Sequence, residues 1–189
     1  AARRAGGEDA PDVYSCGSWI LGVLERGDVA PENVVVLGPS ELPDDAGGGE
    51  EAPAIEAFRR EYQGLLERGV KIISRRRVRS VGPEAAAAEA AAGLECSSFY
   101  LSIDADIGAG EAVGAVRFLD TIGLEADEVV ALSAAVAREG LSRGMRLAGL
   151  DMMEIDVHLA DVPGSGDRTL EMCAGAVRAV LSEAARREV

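Results

Sequence analysis

The sequence is short of histidine, cysteine and positive charge, and these shortages narrow what the protein can do. Its one histidine, His158, reads first as a loop or packing residue and only second as a ligand. Cys16, Cys96 and Cys173 are far apart and form no C-x-x-C, so neither a disulfide framework nor a cysteine zinc site is expected. They fit reduced thiols in a cytoplasmic protein. No apolar run approaches the roughly 18 residues that a membrane helix needs, and no signal peptide is visible. No strand feeds a G-x-G-x-x-G or a P-loop, which disfavours a nucleotide-binding module. Nineteen Lys plus Arg stand against 33 Asp plus Glu, a formal charge of −14. That excess argues against nucleic acid or an anionic membrane as partner.

What is present is a globular chain. A length of 189 residues with 48% hydrophobic content supports one domain, residues 1–189, with a substantial core. The chain does not begin with Met and its first ten residues carry no periodic pattern, so a fragment or processed product is expected.

Short apolar runs alternate with amphipathic ones. Helices are expected from about Gly17 to Arg26, from Ile55 to near Gly69, from Pro83 through an alanine-rich stretch, from Ala126 to Arg138, and from near Asp167 to Arg186. In the last of these Leu170, Cys173, Ala174, Val177 and Leu181 are expected to face inward. Strands are expected at Asn33–Leu37, Val70–Ile73, Phe99–Asp106 and Arg146–Met153. Leu42 to Pro53, with two prolines and a triple glycine, reads as an exposed loop. Strands alternating with helices imply βαβ units, an α/β class and a mainly parallel sheet.

Two strands end in acid. Phe99, Leu101 and Ile103 alternate with Tyr100 and Ser102, and the run closes on Asp104 and Asp106. In an extended backbone these two would leave the same face, roughly 7 Å apart at Cα. Ligands of open α/β sheets collect beyond the carboxyl ends of strands. Paired carboxylates there call for a positive partner, and hard divalent cations take oxygen ligands. D-x-D pairs also arise by chance in so acidic a chain, and Asp favours turns after strands. The second strand runs Leu150-Asp151-Met152-Met153 into Glu154-Ile155-Asp156. In a parallel sheet both ends open on one edge, so Glu154 is expected beside Asp104 and Asp106. A carboxylate there suits a guanidinium, or is simply a solvated strand-end acid.

Ser102-Ile103-Asp104-Ala105-Asp106 resembles the S-x-D-x-D strand of the ureohydrolases, the group of arginase, agmatinase and formimidoylglutamase. Leu150-Asp151-Met152-Met153-Glu154-Ile155-Asp156 resembles that family's D-x-x-E-x-(N/D) strand. Tyr14-Ser15-Cys16-Gly17 is similar to its S-(H/S)-G segment, Asn33 to Gly38 to the strand that follows, and Thr121-Ile122-Gly123-Leu124 to its G-G-L turn. Asp167-Arg168-Thr169 resembles its threonine-containing start of the last helix. The similarity spans essentially the whole chain.

The resemblance implies a three-layer α/β/α, arginase-like fold, with N-terminal strands missing from this chain, in a homotrimer or hexamer. It implies a centre of two Mn2+ ions that activates a shared water to hydrolyse a C–N bond of a guanidino, amidino or formimino substrate. Asp104 and Asp106 match the metal-ligand aspartates, and Glu154 matches the glutamate that binds the substrate's cationic head. Several features depart from the pattern. The family's histidine-bearing G-G-D-H and D-A-H-x-D motifs lie N-terminal to everything in this chain, and His158 cannot replace them. Its aspartate-proline after S-x-D-x-D becomes Ala109-Gly110, and Cys16 stands where some members carry a proton-shuttling histidine. The isolated chain is therefore expected to bind manganese poorly and turn over slowly, and a non-catalytic, structural or regulatory member is the alternative. Substrate choice is expected to lie in Leu42–Pro53, the segment after Asp106, and Val157–Gly166. Arg117, in the second of these, would pair with a substrate carboxylate or with a neighbour such as Asp120.

Overall fold

The computed structural model describes residues 19–39, 53–117, 119 and 122–187. The expectations for Tyr14–Gly17, for Asp120 and Thr121, and for most of the Leu42–Pro53 loop lie outside the described residues. Two compact units emerge: residues 1–36 with 43–71, and residues 37–42 with 72–189.

The first unit contains α1 (Trp19–Arg26) and α2 (Pro53–Glu67), close to the expected helices. Gly69 takes φ +100°, a conformation open to glycine, and turns the chain after α2. A short 3-10 turn over Pro31–Asn33 precedes β1 (Val35–Leu37), so the expected strand starts later than its apolar residues suggest. The backbone N–H of Lys71, at the start of β2 (Lys71–Ile73), donates to the Val34 carbonyl at 3.1 Å.

In the second unit the Gly38 N–H donates to the Ile73 carbonyl at 2.8 Å. A helix absent from the sequence expectations follows, α3 (Arg75–Val81). Its N-cap is Ser74, whose hydroxyl accepts from the Arg77 N–H at 3.2 Å. Gly82, at φ +85°, separates α3 from α4 (Pro83–Ala91), the alanine-rich helix.

β3 (Ser98–Asp104) and β4 (Arg146–Met153) form a parallel pair, with Leu101 opposite Leu150 and Asp104 opposite Met153. One face buries Ile103 together with Ala137 of α5 (Ala126–Ser142) and Ala176 and Val180 of α7 (Ser165–Ala185). Leu101, Leu147, Leu150 and Met152 pack against that cluster. On the other face Tyr100, Ser102 and Asp104 are exposed, so the alternation in β3 reads out as expected. Phe99 lies close over α5, where a Cβ at Gly140 would stand 2.9 Å from its ring.

The inward face of α7 departs from expectation in part: Cys173 is buried as expected and Ala174 and Val177 are half-buried, but Leu170 and Leu181 are not buried. Thr169, Met172, Cys173, Ala176 and Val180 are buried, whereas Leu170 and Leu181 are 46% and 52% exposed. Both stripes obey helical spacing, and packing against β3, β4 and α5 selects the one with smaller side chains. Short α6 (Val157–Ala160) occupies part of the expected loop, capped by Asp156, which accepts from the His158 N–H at 2.9 Å.

Candidate functional site

Both acidic strand ends open on the same edge of the β3/β4 pair, as a parallel register requires. The extended run stops sooner than expected. β3 ends at Asp104, and Ala105–Ile107 form a 3-10 turn in which Ala105 is fully buried and its carbonyl accepts from the Gly108 N–H at 3.2 Å. Asp106 thus leaves a turn instead of a strand. From that turn its carboxyl makes hydrogen-bonding contact with Asp104.

The electrostatics follow from that turn. Partial loss of water, then the negative charge of Asp106, then that of Glu154, push the Asp104 carboxyl up to about 7. The side chain of Asp106 shares a hydrogen bond with it and raises it further, and the Asp106 backbone N–H opposes the trend. Asp106 thus touches Asp104, and Glu154 acts on it through its charge.

Glu154 follows the last residue of β4. It is the one non-glycine residue at positive φ, +59°, among the described residues. A side-chain-bearing residue in the left-handed region is uncommon and is held there by its surroundings. Here the next residue, Ile155, bridges Val116 antiparallel, and the Asp156 N–H donates to the Ala115 carbonyl at 2.9 Å. The segment after Asp106 is thus clamped to the segment after Glu154.

That first segment is itself tightly knit. The Ala109 N–H donates to the Leu124 carbonyl at 2.8 Å, and the Leu124 N–H to the Ile107 carbonyl at 2.8 Å. A Cβ on Gly123 would stand 2.2 Å from the Gly108 carbonyl carbon, so only glycine fits that crossing. Ala109, Ala112, Val113, Ala115 and Val116 are all buried. Ala109-Gly110, the departure from the family pattern, lies in this packed turn.

Of the other residues singled out in the sequence, His158 and Arg117 are exposed, His158 on α6 and Arg117 in the loop after Asp106. Cys16 lies outside the described residues. A groove of about 520 Å³ between α5 and α7, lined by Val130, Met172 and Arg168 among others, includes none of the three carboxylates. It has no part in the site.

Among the described residues no group of three or more His, Cys, Asp or Glu side chains is placed to hold a metal ion. The Asp104/Asp106 pair nevertheless fits a divalent cation as two of its ligands. It supplies hard anionic oxygens from two adjacent side chains, and Asp104 is raised by partial loss of water and by the neighbouring charges of Asp106 and Glu154. Glu154 is close enough to add to that charge without joining a metal-holding group.

The comparisons with known proteins bear on the fold and the family. No curated protein sequence matches the chain. Among solved structures, a hypothetical agmatinase from Burkholderia thailandensis superposes with a TM-score of 0.70 at 18% identity, over 96% of this chain and 48% of that one. Formimidoylglutamase from Bacillus subtilis gives 0.63 at 17%, over 85% and 45%. Trypanosoma cruzi formiminoglutamase, solved with Mn2+, gives 0.62 at 17%, over 86% and 50%. The chain spans about half the length of each, and these likenesses establish an arginase-like α/β fold. A sequence model of the arginase family matches residues 7–182. With that match over nearly its whole length, the chain belongs to the arginase family.

Proposed function

We propose that the protein is a ureohydrolase-type hydrolase that uses Mn2+ at Asp104 and Asp106 to cleave a C–N bond of a linear amidine or guanidino compound. Glu154 receives the cationic head of the substrate. The observation that carries this reading is the contact between Asp104 and Asp106 at the end of β3, with Asp104 pushed up to about 7 by partial burial and by the charges of Asp106 and Glu154. Cations are what such a cluster attracts. Bound there, manganese would lower the pKa of a water and supply a nucleophile near neutral pH. The chain's own residues do the rest. Asp104 and Asp106 present oxygens from a strand end and the turn beyond it, and Glu154 offers a second anionic surface for a planar cation.

The reading extends to a cytoplasmic, single-domain protein that works as a homotrimer or hexamer. The free thiols of Cys96 and Cys173 support a reducing compartment. The test is a panel of arginine, agmatine, guanidinobutyrate and formiminoglutamate with added Mn2+, run on the protein and on Asp104→Ala and Asp106→Ala. Slow manganese-dependent hydrolysis of one substrate, lost in both variants, is expected. Undiminished turnover in either variant would refute the assignment.

A second reading, a non-catalytic member retained for assembly or regulation, is favoured by two observations. The described residues supply no third metal-holding side chain, and the aspartate-proline of the family is replaced by the packed Ala109-Gly110 turn. Metal content by mass spectrometry separates the two, because near-stoichiometric manganese has no place in a scaffold.

A further inference from the structure

Thr169 sits in the first turns of α7 and is fully buried. Its Oγ1 accepts from the backbone N–H of Gly114 and of Ala115, both at 2.9 Å, and donates to the Ser165 carbonyl at 3.0 Å. A hydroxyl has one proton and two lone pairs, so all three capacities are used. The two backbone donors belong to the loop that leaves Asp106, and no regular ladder would otherwise satisfy them. The same loop grips the other strand end. Ala115 accepts from the Asp156 N–H at 2.9 Å, and Val116 bridges Ile155. Those contacts flank Glu154 on its C-terminal side, where the chain is held at φ +59°. The helix approaches the loop closely enough that a Cβ on Gly114 would meet Ser165 at 2.8 Å.

We propose that Thr169 is a positioning residue whose hydroxyl anchors Gly114–Val116 and, through that segment, fixes the backbone that carries Glu154. It touches neither substrate nor metal. One side chain on α7 thereby sets the placement of the cation-binding carboxylate relative to the Asp104/Asp106 turn. The inference rests on the reading of Glu154 given above. Without the hydroxyl, two buried N–H groups lose their acceptor and the loop must move toward water to satisfy them. Glu154 then loses what holds it in the left-handed region.

Amide hydrogen exchange tests this directly. In the unaltered protein, exchange at Gly114, Ala115 and Asp156 should follow one opening event, with a common response to denaturant. Thr169→Val keeps the shape and removes the hydroxyl. It should speed exchange at Asp156 by about tenfold or more together with 114–115, while core amides of α5 keep their protection. Thr169→Ser should restore the slow rate. Independent opening of Asp156 in the unaltered protein overturns the proposal. So does acceleration confined to 114–115 or spread evenly through the core, or failure of Ser to rescue. A parallel titration with guanidinium ion should show weaker binding in Thr169→Val. Absence of guanidinium binding in the unaltered protein would count against Glu154 as the cation site, and exchange would still decide whether Thr169 holds its backbone.

Discussion

The Tyr100 hydroxyl donates to Asp151 Oδ2 at 2.8 Å, joining β3 to β4 on the exposed face of the strand pair. The other oxygen of Asp151 is buried with no hydrogen-bond partner. The contact is possible because position 149 is glycine: a Cβ there would stand 2.5 Å from the Tyr100 ring. The strand register shifts between Phe99 and Tyr100, which brings Tyr100 opposite Gly149. This pair lies a few residues before the acids on each strand and helps hold the two strand ends level.

Tyr100→Phe should therefore lower the thermal midpoint, since Asp151 loses the donor to Oδ2. Gly149→Ala should do the same by pushing the exposed ring aside. The hydrogen bond to Asp151, with smaller contributions from desolvation and its charge, raises the Tyr100 phenol above its ordinary value. A spectrophotometric titration of the tyrosines should show one late-ionising phenol that Gly149→Ala returns toward normal.

Asp104 makes stability depend on pH in a definite sense. Its folded pKa of about 7 exceeds the ordinary value of 3.8, so the folded state holds a proton that the unfolded chain releases. Stability from this group is full below about pH 4 and falls as pH rises toward 7. After a discount for solvent screening, the loss is on the order of 1 kcal/mol. Without metal, Asp104→Asn should raise the thermal midpoint at pH 8 relative to the parent and leave it nearly unchanged at pH 4. Added Mn2+ should stabilise the parent at pH 8 and not the variant.

Much of this was legible in the sequence, for identifiable reasons. The alternation of Phe99, Leu101 and Ile103 places Asp104 at a strand end because one face of β3 packs on α5 and α7 while the other is open. The pairing of the two acidic strand ends followed from parallel topology alone. The turn that brings Asp106 against Asp104 was not legible, because burial of Ala105 and the crossing of Gly123 over Gly108 are tertiary effects. Nor was α3, whose run Arg75-Arg76-Arg77 lacks an apolar stripe and whose main signal is Ser74 as its cap. On α7 two apolar stripes compete at helical spacing, and spacing by itself could not choose between Leu170/Leu181 and Met172/Val180.

The crossing of two backbones at Gly123 gives a further expectation. Gly123→Ala puts a methyl within 2.3 Å of the Ala109 nitrogen, where neither chain can yield as a side chain could. Overpacking of this kind costs about 1–3 kcal/mol. The thermal midpoint should fall, and the Ala109 and Leu124 amides should exchange faster than those of α5.

Glu154 can be separated from its backbone. Glu154→Gln keeps the chain geometry and removes the charge. It should weaken guanidinium binding by about 10- to 100-fold, the effect of losing a charge-assisted hydrogen bond. Its thermal midpoint at neutral pH should equal or exceed the parent's, since one of the charges crowding Asp104 is gone.

The most direct measurement is a Mn2+ titration followed by the loss of the free-ion electron paramagnetic resonance signal, on the parent chain, Asp104→Asn, Asp106→Asn and Glu154→Gln. Weak but saturable uptake by the parent and by Glu154→Gln, abolished in both aspartate variants, is the expected result. Equal uptake by the parent and by either aspartate variant would contradict a metal held at the end of β3.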